Sequence, residues 1–126
     1  MSICLVAFAK NETLNINEWL NFYKRLGIDK IFIFCNDENP EEMKKVVLPY
    51  IFSGFVEFYH HPGHGNQHDA YMRWLHIHRD EFKWVGFIDI DEYITLPDEY
   101  LFRANPISSW IKQYDADCIH LNWFNY

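Results

Sequence analysis

Near its start the chain runs through six apolar residues without interruption, Ile3 to Phe8 (ICLVAF). A strand covered on one face alternates apolar with polar residues, so an unbroken run calls for cover on both faces. A parallel sheet with helices above and below supplies it. AKNET then ends the run, and Asn15 or Asn17 can cap a helix whose apolar residues Trp19, Leu20, Tyr23 and Leu26 recur at three- and four-residue spacing. Gly27 is placed to end that helix as a C-terminal cap. A second apolar run, Ile31 to Cys35, follows at once, completing a strand–helix–strand crossover unit expected to be right-handed.

The same alternation continues. NDENPEE puts Pro40 near a helix start with Glu41 and Glu42 in the first turn, where the helix dipole favours negative charge, and the helix is expected to end by Pro49. Phe55 to Tyr59 reads as a third strand. HHPGHGNQ reads as a loop opening onto a helix from about His68 to Arg79. Trp84 to Ile88 is a fourth strand running into DIDEYITL, Pro106 to Tyr114 a short helix, and Cys118 to Trp123 a last strand. No internal repeat, linker or domain boundary interrupts residues 1–126, so the chain reads as one α/β domain with an open, mostly parallel sheet and flanking helices. In such sheets ligands sit beyond the carboxyl ends of the strands. The polar clusters KNE, ND, HHPGHGNQ and DIDE all fall there, which favours a cleft over four separate solvated loops.

Composition closes off several classes. A chain of 126 residues holds one hydrophobic core, and 19% aromatic content excludes disorder. The formal net charge of −7 argues against sequence-blind binding of nucleic acid, which needs a field of lysine and arginine, and favours a divalent cation. No apolar run approaches the roughly 18 residues of a membrane span, and MSICLVAFAKNE has no basic region followed by a cleavage site. The chain is therefore expected to be cytoplasmic. Cys4, Cys35 and Cys118 are odd in number and lie in or beside apolar runs, the pattern of buried small hydrophobes rather than of zinc ligands.

The sharpest feature is WVGFIDIDEYITL, where Asp89, Asp91 and Glu92 interrupt an apolar strand and its continuation. Ionised carboxylates there need a cation or strong donors. In an extended backbone residues i and i+2 share a face, so Asp89 and Asp91 would address one site while Ile90 anchors in the core. A hard ion with oxygen ligands, Mg²⁺ or Mn²⁺, fits, and such ions are commonly completed by phosphate oxygens. A diphosphate substrate follows. The plain alternative is that the two aspartates merely end the strand, with Glu92 solvated.

VAFAKNE after the first strand, FCNDENP after the second and FIDIDEYI after the fourth, taken in that order, resemble glycosyltransferases of the GT-A fold, specifically families 2 and 92. The resemblance covers nearly the whole chain. It implies a metal-dependent enzyme that transfers a sugar from a nucleotide sugar, a UDP-sugar above all, to a saccharide or other hydroxyl acceptor with inversion. In that pattern Asp91 binds the ion bridging the diphosphate, and Asp89 meets ribose or sugar while sharing the metal site. Asp37 inherits a nucleobase contact, and Asn36 stands where an aspartate is commoner. Lys10, Asn11 and Glu12 line the nucleotide pocket, and Gln67 matches a polar position facing the donor. The metal acts on the leaving group, because breaking a sugar–phosphate bond develops negative charge on a nucleoside diphosphate.

Rival readings are weaker. Seven histidines invite a zinc site, but Pro62, Gly63 and Gly65 oppose a helix joining His64 to His68, and His76 and His78 diverge by about 200° on a helix. They read as mostly surface or loop residues, with His64 or His68 near the phosphates; a histidine-based metallohydrolase is the least favoured class. G-x-S-x-G, the phosphate loop and the dinucleotide fingerprint are absent. The chain stops at LNWFNY, where GT-A enzymes continue into an acceptor-binding half, so a C-terminally truncated donor-binding part is expected. A fuller enzyme is compatible with peripheral membrane association. The competing class is a noncatalytic α/β binding or interaction module.

Overall fold

A computed structural model describes residues 2–63, 67–119 and 121. Four strands, β1 (Ile3–Ala9), β2 (Lys30–Cys35), β3 (Val56–His60) and β4 (Trp84–Phe87), form one sheet in the order β3-β2-β1-β4. All three pairings are parallel, with Leu5 opposite Ile31 and Gly86, and Ile33 opposite Phe58. Helices α1 (Ile16–Leu26), α2 (Glu41–Phe52) and α3 (Gln67–His78) connect successive strands, and the short helices α4 (Asp98–Leu101) and α5 (Pro106–Ile111) follow β4. The expected α/β architecture with an open parallel sheet is what the chain adopts.

Alternate residues of the inner strands explain the unbroken apolar runs. Ile3, Leu5, Ala7 and Ala9 of β1 face one core with Trp19, Leu20 and Tyr23 of α1 and Met43 and Val47 of α2. Cys4 and Val6 face the other core with Phe32, Phe34 and, from α3, Ala70 and Trp74. At Gly86 of β4 the strand lies close to its neighbour: a Cβ there would fall 2.8 Å from Leu5 Cδ2, so the Leu5 side chain would have to shift. At the end of α1, Gly27 takes φ 99°, the left-handed cap expected of it.

Several local expectations are corrected. Helix α2 does not stop at Pro49 but runs three residues further. The ring removes one backbone donor, yet Ile51 still packs on the core and the Ser53 N–H reaches the Pro49 carbonyl at 3.1 Å. Asn15 stands at the N-cap of α1 without capping it; its side chain donates to Glu12 Oε2 at 3.3 Å. Helix α5 ends at Ile111 rather than Tyr114, and α4 was not foreseen. Cys4 and Cys35 are buried, and burial pushes their thiols up to about 12 and about 11, but Cys118 is exposed. None of Cys118, Ile119 and Leu121 is in a strand, and the other three residues of the expected last strand lie outside the described residues.

His78 is also not a surface residue. It is buried at the end of α3, bonded to Glu81, 3.1 Å from the Tyr59 hydroxyl and 3.4 Å from Glu57 Oε2. Glu57 in turn accepts from the Tyr59 hydroxyl at 2.6 Å and from Lys30 Nζ at 3.4 Å. Burial pushes the Glu57 carboxyl up, but these donors outweigh it and hold the group below its ordinary value of 4.5. A depressed carboxylate contributes stability above the unfolded value, and that contribution is lost as pH falls through the folded one. Glu57→Gln is therefore expected to flatten the fall of stability below about pH 4.5, checked by denaturant midpoints from pH 3 to 7. An unchanged acid limb would assign it to other carboxylates.

Candidate functional site

Because all four strands are parallel, their carboxyl ends share one edge of the sheet. β1 has β2 on one side and β4 on the other, so the strand order reverses at β1, the kind of position where open parallel sheets place their ligands. Asn11, just beyond β1, takes φ 56°, a left-handed conformation that asparagine tolerates better than most residues. That backbone presents its N–H to Asp37 Oδ1 at 2.8 Å. Asn11 and Asp37 are thus brought together. Glu12 holds the start of α1, its carbonyl accepting from the Asn15 and Ile16 N–H groups at 3.1 and 3.0 Å. Lys10 is exposed, and no described hydrogen bond or ion pair fixes its side chain.

Asn36 has its own reason for not being an aspartate. Its buried Nδ2 donates to the carbonyls of His61 at 2.8 Å and Gly63 at 2.9 Å, tying the end of β2 to the loop between β3 and α3. A carboxylate has no proton for either bond.

The acidic segment leaves β4 as a turn. The Ile88 N–H still reaches the Val6 carbonyl at 3.1 Å, but the Glu92 N–H then closes onto the Asp89 carbonyl at 3.0 Å. Glu92 Oε1 accepts the Asp89 N–H at 2.9 Å, which reciprocally locks the two ends. Ile90 is buried at 2% exposure, as expected of an anchor. The extended backbone expected from Asp89 to Asp91 is not found, and the i, i+2 argument for a shared face falls with it. Glu92, not Asp91, joins Asp89 in lining a hollow of about 460 Å³ whose other walls are Gln67, His68, Tyr71 and Phe87. Asp91 is exposed and not among the lining residues, and no described hydrogen bond or ion pair engages its side chain. Gln67 Nε2 donates to Asp89 Oδ1 at 3.1 Å. His64 lies outside the described residues, whereas His68 is on the wall.

Two residues read in the sequence as plain core prove to hold this turn. Trp19 Nε1 and the Tyr23 hydroxyl both donate to the Glu92 carbonyl, at 3.0 and 2.8 Å, and Tyr23 accepts the Ile94 N–H at 3.0 Å. Both side chains are fully buried, and burial raises the Tyr23 phenol well above the tyrosine range. The one available signal was their polar atoms, since a buried tryptophan or tyrosine needs a partner for its N–H or O–H.

Among the described residues no three His, Cys, Asp or Glu side chains converge on one point, so an all-protein cage for a hard dication does not fit. Asp89 and Glu92 around one hollow fit an ion that one or two carboxylates hold and phosphate oxygens and water complete. No described lysine or arginine neutralises these carboxylates.

A family model for glycosyltransferase family 92 matches residues 1–114. The chain belongs to glycosyltransferase family 92. Three curated family 92 proteins are similar to it. One from Oryza sativa subsp. japonica is 29% identical over 98 residues, covering 76% of this chain and 16% of the rice protein. One from Ricinus communis is 26% identical over 97 residues, 75% of this chain and 17% of its own length. One from Arabidopsis thaliana is 23% identical over 117 residues, 90% of this chain and 20% of its own length. This family 92 chain therefore spans a fifth or less of the relatives it matches. None of the helices among its described residues is long and apolar enough to cross a membrane.

Proposed function

We propose that this chain is the donor-binding part of a GT-A glycosyltransferase that uses a nucleotide sugar, a UDP-sugar in particular, and delivers the sugar to a hydroxyl acceptor with inversion. The observation carrying the proposal is the acidic turn at the strand-order reversal. It sets carboxylates that no described lysine or arginine pairs with at the edge where the Asn11–Asp37 pair closes the neighbouring strands. Asp91 and Asp89 are the residues that would hold Mn²⁺ or Mg²⁺. Such an ion, when bound, supplies Lewis-acid stabilisation of charge on the departing nucleoside diphosphate. Asp37 keeps acceptor capacity beyond the Asn11 bond for a base imide, and Glu12 can take a ribose hydroxyl. Gln67 and Asp89 face the hollow, where the sugar hydroxyls would find both a donor and an acceptor. Inversion and the choice of uridine rest on the family resemblance.

The test is a calorimetric titration of UDP with and without Mn²⁺. Metal is expected to tighten binding by about tenfold or more, and Asp91→Ala to remove that gain with the thermal midpoint unchanged, since the side chain is exposed. A folded sample that binds UDP equally with and without Mn²⁺, or not at all, would favour the noncatalytic module instead.

A further inference from the structure

We infer that Tyr71 is a positioning residue for Asp89, acting through Gln67; the inference rests on the donor-binding reading above. Gln67 and Tyr71 are four residues apart on α3 and so lie one turn apart on the same face. A single amide nitrogen, Gln67 Nε2, donates to the Tyr71 hydroxyl at 2.9 Å and to Asp89 Oδ1 at 3.1 Å. Its two hydrogens are therefore both committed, which fixes the amide plane and with it the direction from which Asp89 is held. Left alone, an exposed glutamine samples many rotamers, and a carboxylate bonded to it would be no better placed than its partner.

Tyr71 supplies the missing constraint because it is itself anchored. Its ring packs against Phe87 with centroids 4.6 Å apart, and Phe87 meets Trp74 at 6.0 Å. Trp74 is 1% exposed in the core between α3 and the sheet. Rigidity thus passes from the core through two rings to the phenol, then through one amide to the carboxylate. Burial keeps the Tyr71 phenol protonated above the usual tyrosine range, with Asp89 and Glu92 adding to the effect. Its oxygen accepts from Gln67. Asp89 is left with Oδ2 as the oxygen without a described partner, so the geometry selects which oxygen meets a ligand.

The experiment measures UDP affinity in Mn²⁺ for the unaltered protein, Tyr71→Phe, Gln67→Ala and the double variant, with thermal midpoints alongside. Tyr71→Phe and Gln67→Ala are each expected to weaken binding about three- to tenfold. The double variant is expected to be no weaker than Gln67→Ala, because Tyr71 acts only through that side chain. A merely structural role predicts losses that multiply and follow the thermal midpoint. Multiplying losses, or full affinity in Tyr71→Phe, would overturn the inference while leaving the donor reading intact. No UDP binding by the unaltered protein would remove the donor reading, and this inference with it.

Discussion

Asn36→Asp is expected to destabilise the fold by about 2–3 kcal/mol at pH 7, although it changes one atom and installs the residue commoner in the resembling families. The Asn36 amide is 7% exposed and donates to two carbonyls, at 2.8 and 2.9 Å. An ionised aspartate would turn an acceptor toward both, so its folded pKa must rise. A carboxyl with a raised folded pKa is penalised above its unfolded value, and the penalty fades as pH drops below it. In the protonated form one O–H restores one of the two bonds, so the cost should shrink to about 1 kcal/mol near pH 3. Denaturant midpoints at the two pH values check both size and sign. A cost under about 0.5 kcal/mol, or one that does not change with pH, would mean that the tie between β2 and the loop ahead of α3 is dispensable.

Tyr23→Phe is the second large effect. It removes one hydroxyl, which deprives the Ile94 N–H of its acceptor and the Glu92 carbonyl of one of two donors. The Tyr23 side chain is fully buried and its partners Glu92 and Ile94 are half-buried, so about 2 kcal/mol of stability should go with the hydroxyl. The Glu92 carbonyl keeps Trp19 at 3.0 Å, which is why the loss falls short of two full hydrogen bonds. The acidic turn should loosen too, and on the proposed function UDP affinity in Mn²⁺ would drop several-fold. A variant with undiminished stability would show that the clamp is not holding the turn. One that loses stability but keeps full affinity would separate the clamp from ligand binding.

These two positions mark the boundary of what the sequence could disclose. The strands were legible because an unbroken apolar run answers to a sheet covered on both faces, and α1 because its apolar spacing follows the helical repeat. Family membership was legible too, through short polar clusters that follow successive strands. The clamp was not, since Trp19 and Tyr23 meet residues about seventy positions away and periodicity records only which face is buried. The alternation of Asp89 and Asp91 suggested an extended segment, but the Glu92 backbone and side chain both fold back on Asp89 and make a turn. Pro49 marked a weakened helix, not its end, because packing of the last turn outweighs one lost donor. His78 looked like surface because its partners Glu57 and Tyr59 lie on β3, about twenty residues before it in the chain.

The acidic turn leaves a strand of only four residues that has one neighbour among the described strands, yet it is gripped from both sides. Helix α1 holds its main chain from one face, and helix α3 holds the Asp89 side chain from the other. Whatever pulls on that carboxylate therefore loads two helices on opposite sides of the molecule. Occupancy should then be readable at a distance, as slowed amide exchange at Ile94 and in the first turn of α3 together.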